Sequence, residues 1–149
     1  MKTTNDVVQL TIPAKAEYID LVRLAIYGFA SPMGFSYEDI EDMKVAVAEA
    51  CNNAVLHAYK DGGAGSVEVQ LENQDGDICI RIKDYGTSFN YEETANRVTS
   101  LHDKELSEIN AGGLGIYMMQ ALMDDVQVIS ESGTEVIMTK KFNRLEEIV

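Results

Sequence analysis

Glu49 and Asn53 stand four residues apart in the run Glu49-Ala50-Cys51-Asn52-Asn53-Ala54-Val55-Leu56-His57-Ala58. On a helix this spacing stacks a carboxylate, a carboxamide and the His57 imidazole on one stripe. Such groups are costly to bury unless they are used, and the plain alternative is the solvated face of an amphipathic helix. Two further pieces carry chemistry. Asp84-Tyr85-Gly86 closes an apolar run, where an ionised aspartate, acceptor only, can take a hydrogen bond from an exocyclic amino group while Gly86 lets a flat base lie close. Gly112-Gly113-Leu114-Gly115 opens another apolar run. Glycines there strip side chains from the amino-terminal N–H groups of a helix, which a phosphate chain needs in order to approach. Taken singly, Asp-x-Gly is also a turn signal and a glycine cluster is also a flexible helix entry.

The elements that must position these groups follow from the hydrophobic pattern. A strand is expected over 7–12, ended by Pro13, then a helix over 16–30 that stops before Pro32. A second helix, capped by Ser36 and acidic in its first turns (Glu38, Asp39, Glu41, Asp42), is expected over 37–59. Gly62, Gly63 and Gly65 end it. Strands over 66–72 and 77–83 follow, joined through Asp75-Gly76, a hairpin signal. The polar stretch from Tyr85 to about Ala111 is too long for an ordinary connection and reads as a lid or a disordered segment. A third helix starts at Gly112 and is expected to carry Leu114, Met118, Ala121 and Leu122 inward; strands over 126–130 and 134–140 turn at Ser132-Gly133. This order predicts an α/β two-layer sandwich, a mixed, mainly antiparallel sheet with helices on one face, as a single domain over 1–149. A doubly wound fold would need regular strand–helix alternation and a glycine-rich turn after the first strand, and the chain has neither, nor a GxxxxGK[ST] loop.

Composition bounds the function. A chain of 149 residues with 25 acidic and 12 basic side chains carries a net charge of −13. That field opposes nucleic acid and favours a basic protein partner. A bound polyphosphate would need a divalent cation and backbone dipoles to offset it. Cys51 and Cys79 have no metal-ligand spacing and read as buried thiols of a reducing compartment. With no apolar run near the roughly 20 residues that span a bilayer, a cytoplasmic protein that does not enter membranes is expected.

Taken together, the three pieces resemble the boxes of the GHKL (Bergerat-fold) ATPase family, and more closely its branch of bacterial anti-sigma factor kinases. EACNNAVLHAY is similar to the N box, IKDYGTSF to the first glycine box, and GGLGIYMMQALMD with the following strand to the second; the early helices EYIDLVRLAI and EDIEDMKVAVAEA extend the likeness over nearly the whole chain. The resemblance implies ATP and Mg²⁺ as cofactors. It implies Glu49 as general base toward an attacking hydroxyl and Asn53 as the Mg²⁺ ligand. Asp84 would read the adenine amino group over Gly86, with Gly112, Gly113, Leu114 and Gly115 cradling phosphates, Thr134 near the adenine, and 88–111 as the ATP lid. Two positions depart from the broad family: Ser88 stands where a second glycine is common, as it does in this branch, and Tyr85 stands where an acidic residue often sits. His57 could face phosphate or be structural; Arg97 and Lys104 could meet phosphate or be surface charges; Arg23 could serve a partner or snorkel.

The implied activity is that of an anti-sigma factor and protein-serine kinase. It would sequester a stress-response, sigma-B-like sigma factor and phosphorylate a serine of its anti-anti-sigma antagonist with Mg-ATP, as a homodimer. The alternative is a nucleotide-gated binding module of the same family without kinase activity. A base such as Glu49 has little purpose in pure binding, which favours the kinase. A free-standing histidine kinase catalytic domain fits less well, since the chain has no room for a helix pair carrying a phosphoacceptor.

Overall fold

The computed structural model describes residues 5–58, 65–86 and 111–142. A five-stranded antiparallel sheet in the order β1-β2-β3-β5-β4 is built from β1 (Val7–Pro13), β2 (Ser66–Gln74), β3 (Asp77–Asp84), β4 (Asp125–Ser130) and β5 (Thr134–Lys140). The β2–β3 hairpin closes on Asp75 (φ 55°) and Gly76 (φ 98°), the two positive-φ positions that a two-residue loop demands. Gln74 pairs with Asp77, so both strands run further than their apolar alternation indicates. Every strand pair is antiparallel, and the α/β sandwich expected from the sequence is borne out.

Three α-helices, α1 (Ile19–Met33), α2 (Tyr37–Asn53) and α3 (Ala111–Leu122), enclose the core with the sheet. Alternate β2 and β3 residues Val67, Val69, Leu71, Ile78, Ile80 and Ile82 are buried in one cluster with Val22 and Ile26 of α1, Met43 and Val47 of α2, and Ile116 and Met119 of α3. The Ser36 hydroxyl accepts the Asp39 N–H at 3.1 Å and caps α2, as expected.

Three expectations are corrected. First, α1 passes through Pro32 and stops at Gly34, whose left-handed φ of 99° ends the helix; residues 16–18 form a 3₁₀ turn before it. Pro32 lies in the last turn, one residue before the helix ends at Met33. Second, the α-helical part of α2 ends at Asn53 and continues as a π-helical turn over Ala54–Ala58, so His57 lies outside regular α spacing. Such turns concentrate at functional sites. Third, α3 turns a partly different face inward. Gly115, Ile116 and Met119 are buried, with Met123 just after the helix; of the residues expected inward, Leu122 packs against the core, whereas Met118 is half-buried and Ala121 is exposed. The helix is apolar almost all round, so its composition does not fix the face; the close approach of Gly115 to α2 does.

Candidate functional site

Among the described residues three polar side chains are buried: Asn53 (2 % exposed), Asp84 (4 %) and Thr134 (2 %). All three are site residues expected from the sequence, and they come from α2, the end of β3 and the start of β5.

Asp84 is the last residue of β3 and pairs in register with Thr134, the first of β5. Its Oδ1 accepts the Gly86 N–H at 3.1 Å and the Thr134 N–H at 3.3 Å. Burial pushes the Asp84 carboxyl above its usual range, and the two backbone donors and Lys83 only partly oppose this. The Thr134 hydroxyl is buried without a partner. Gly133 (φ 105°) lets β5 come close: a Cβ there would stand 2.1 Å from the Asp84 carbonyl oxygen and 2.9 Å from Tyr85 Cα. Tyr85 folds back onto β2, its hydroxyl donating to Glu68 Oε2 at 2.9 Å with the Lys83 ammonium 5.0 Å from its ring centre. The aromatic residue that departs from the family pattern thus lies across the end of β2, next to its own strand.

Glu49 and Asn53 meet α3 at Gly115. A Cβ at that position would lie 3.2 Å from Glu49 Oε2, 3.2 Å from Asn53 Nδ2 and 3.7 Å from Asn53 Oδ1. A Cβ here would make the ends of both side chains give way by a few tenths of an ångström, so glycine suits the close approach of the acid–amide pair to α3. Asn53 Nδ2 is buried and unpartnered, which costs about 1–3 kcal/mol in a site with no ligand. By turning about its terminal bond the carboxamide can present either oxygen or nitrogen to the same point. Gly112, Gly113 and Leu114 lie in the first turn of α3, where backbone N–H groups lack helical partners. The donor set therefore fits Mg-ATP: one hard amide oxygen, a carboxylate beside it, and a glycine-rich helix terminus.

Arg23 pairs with Asp20 on the exposed face of α1, a contact that is neither of the two roles expected for it. Cys51 and Cys79 are buried thiols; burial pushes Cys51 up to about 12 and raises Cys79 as well. Residues 88–110 of the expected lid, with Arg97 and Lys104, lie outside the described residues. A groove of about 630 Å³ between α1 and β1, lined by Val7, Val8, Ala25, Gly28, Phe29 and Met33, contains none of the site residues. The site is marked by buried polar atoms without partners. The orphan Thr134 hydroxyl was foreshadowed only by family likeness, and the π turn after Asn53 by nothing.

Asp84→Asn is expected to leave the melting temperature at pH 7 equal or higher, because the amide keeps an acceptor for both N–H groups without a buried charge. The carboxyl is raised in the fold, so its burial penalty grows as pH rises past the ordinary 3.8. The stability gain of the variant should therefore fade as pH falls towards that value. ATP affinity, read by calorimetry, should drop about 10–100-fold, the worth of a hydrogen bond to a charged group.

The fold is an α/β domain with a strand-end carboxylate held by two backbone amides and an acid–amide pair set against a glycine of the facing helix. The chain belongs to the histidine kinase-like ATPase domain family, whose model matches residues 12–140. It is similar to Serine-protein kinase RsbW of Bacillus pumilus, 45 % identical with 97 % of this chain and 91 % of the relative covered. It is likewise similar to Serine-protein kinase RsbW of Bacillus subtilis (39 %; 96 % and 90 %) and of Staphylococcus aureus (41 %; 94 % and 89 %). The family and the protein-serine kinase class expected from the sequence are both borne out.

Proposed function

We propose that this chain binds Mg-ATP between α2, α3 and the β3–β5 end of the sheet, and transfers the γ-phosphoryl group to a serine of an anti-anti-sigma antagonist. It sequesters a sigma-B-like sigma factor in alternation with that transfer. The observation that carries this reading is the identity of the buried polar set: Asn53, Asp84 and Thr134 are buried, and two of them carry atoms without partners. Asp84, with Gly86 and Thr134 beside it, receives the adenine. Gly112, Gly113, Leu114 and Gly115 line the phosphates. Asn53 holds the Mg²⁺, which supplies charge neutralisation on the phosphate oxygens when bound. Glu49 takes the proton of the acceptor serine hydroxyl, and residues 88–111 serve as the lid. Phosphoryl transfer asks mainly for alignment and charge neutralisation, which suits one base and a preorganised set of donors.

The protein acts in the cytoplasm and contacts neither membrane nor nucleic acid; no helix among the described residues is long and apolar enough to cross a bilayer. A homodimer is supported by α1, whose Leu21, Leu24 and Tyr27 are half or more exposed on one side of the helix beside the edge strand β1.

The test is incubation with Mg²⁺, γ-labelled ATP and the antagonist, followed by mapping of label to a serine. Tight ATP binding with no transfer to any antagonist would sink the kinase assignment and leave the nucleotide-gated module. In the same assay Asn53→Ala is expected to weaken Mg-ATP binding about 10–100-fold while the melting temperature holds or rises, since an orphan buried amide is removed. Unchanged Mg-ATP affinity in this variant would rule Asn53 out as the Mg²⁺ ligand.

A further inference from the structure

The site is held together at Gly115, where α3 meets Glu49 and Asn53 of α2. The opposite ends of the same two helices meet at Lys140, in the last position of β5. Its ammonium donates to the carbonyl oxygen of Leu122, the last residue of α3, at 2.7 Å. It also lies 3.7 Å from Asp42 Oδ2 and 4.0 Å from Asp39 Oδ1, in the first turns of α2. The side chain is only 13 % exposed, and three N–H donors face three oxygens. A cation there also suits the negative end of α3. Two bonds fasten the backbone alongside: Asp124 N–H to the Thr139 carbonyl at 2.9 Å, and Lys141 N–H to Asp124 Oδ2 at 2.7 Å.

The spacing links this junction to the chemistry. Glu49 stands seven residues after Asp42 on α2, and Gly115 stands seven residues before Leu122 on the antiparallel α3. Each interval is about 10 Å along its helix. The two helices are thus pinned to each other at two levels, one structural and one at the site, with rigid turns between. Where α3 slides along α2, Gly115 leaves the acid–amide pair.

We propose that Lys140 is a positioning residue for the nucleotide site: it fixes the axial register of α3 on α2, and through it the place of the phosphate-binding helix start relative to Asn53. The proposal rests on the Mg-ATP site given above. Lys140→Met keeps the stem and removes the charge, and Lys140→Arg keeps the charge. Displacement of a fluorescent ATP analogue from the full chain, at a temperature where circular dichroism shows each variant folded, is expected to give about tenfold weaker Mg-ATP binding for Lys140→Met. Lys140→Arg should stay within about twofold of the parent, and Asp42→Asn should lose about threefold. In an Asn53→Ala background Lys140→Met should add less than about twofold, because it acts through the contact already removed; a merely structural role would lower the melting temperature and leave the affinities unchanged or additive. Parent-like Mg-ATP affinity in folded Lys140→Met overturns the proposal. Where that variant does not fold, parent-like affinity in Asp42→Asn overturns it instead. A parent protein that binds no Mg-ATP removes the nucleotide site itself, and the proposal with it, a result distinct from either.

Discussion

Glu49→Gln is expected to cut phosphoryl transfer to the antagonist serine by about 10²–10⁴-fold, the usual worth of a positioned general base. Mg-ATP affinity should stay within about twofold of the parent, because the amide occupies the same volume beside Gly115 and removes no group assigned to nucleotide binding. The carboxylate is half-buried and stands against the bare backbone of α3 at the point where Asn53 also arrives. A base assigned from sequence alone can face solvent on a helix; this one is closed in by a helix more than sixty residues further along the chain. Transfer rate and affinity must be measured together. A fall in both would make Glu49 a binding residue, and an unchanged transfer rate at saturating ATP would end the base assignment. Glutamine is preferred to alanine for this test, since alanine would also empty the space facing Gly115.

The sequence carried the three boxes, the Asp75-Gly76 hairpin, the Ser36 cap and the antiparallel strand pairs because each depends on local chemistry: φ sign, orphan N–H groups, or a period of two. What it did not carry depends on partners distant in the chain. The inward face of α3 takes Ile116 and Met119 rather than Met118 and Ala121, since a helix that is apolar almost all round leaves the choice to the fit of Gly115 on α2. The π turn after Asn53 has no compositional mark in Ala-Val-Leu-His-Ala. Pro32 reads as a stop, yet the helix outlasts it because Gly34 provides the terminus. Lys140 looks like an ordinary charge at a strand end until the fold sets Leu122, Asp39 and Asp42 around it. Function was the more legible part, because a ligand site must use the few residue types whose chemistry survives any packing.

Gly133→Ala is expected to be the most damaging small substitution in the described chain, and its comparison with Gly34→Ala separates strain from site geometry. Both glycines have left-handed backbones, φ 105° and 99°. A non-glycine residue held in a sparsely populated region costs on the order of 1–3 kcal/mol. The two differ in what a Cβ would meet. At Gly34 the nearest atom is the side-chain Phe142 Cε2 at 3.4 Å, an ordinary contact. At Gly133 it is the Asp84 carbonyl oxygen at 2.1 Å, with Tyr85 Cα at 2.9 Å, and backbone held in a strand pair cannot swing aside. Relief requires β5 to part from β3 where Thr134 N–H binds Asp84 Oδ1. Gly34→Ala should therefore lower the melting temperature by a few degrees, at roughly 2–4 °C per kcal/mol for a domain of this size, with ATP affinity unchanged. Gly133→Ala should lower it by about 10 °C or more, and its folded fraction should bind ATP at least about tenfold more weakly, because the carboxylate assigned to the adenine moves with the strand end. Thermal melts and calorimetry on the two variants decide it. Equal melting shifts, or parent-like ATP affinity in Gly133→Ala, would mean that the close approach of β5 to Asp84 does not set the adenine site.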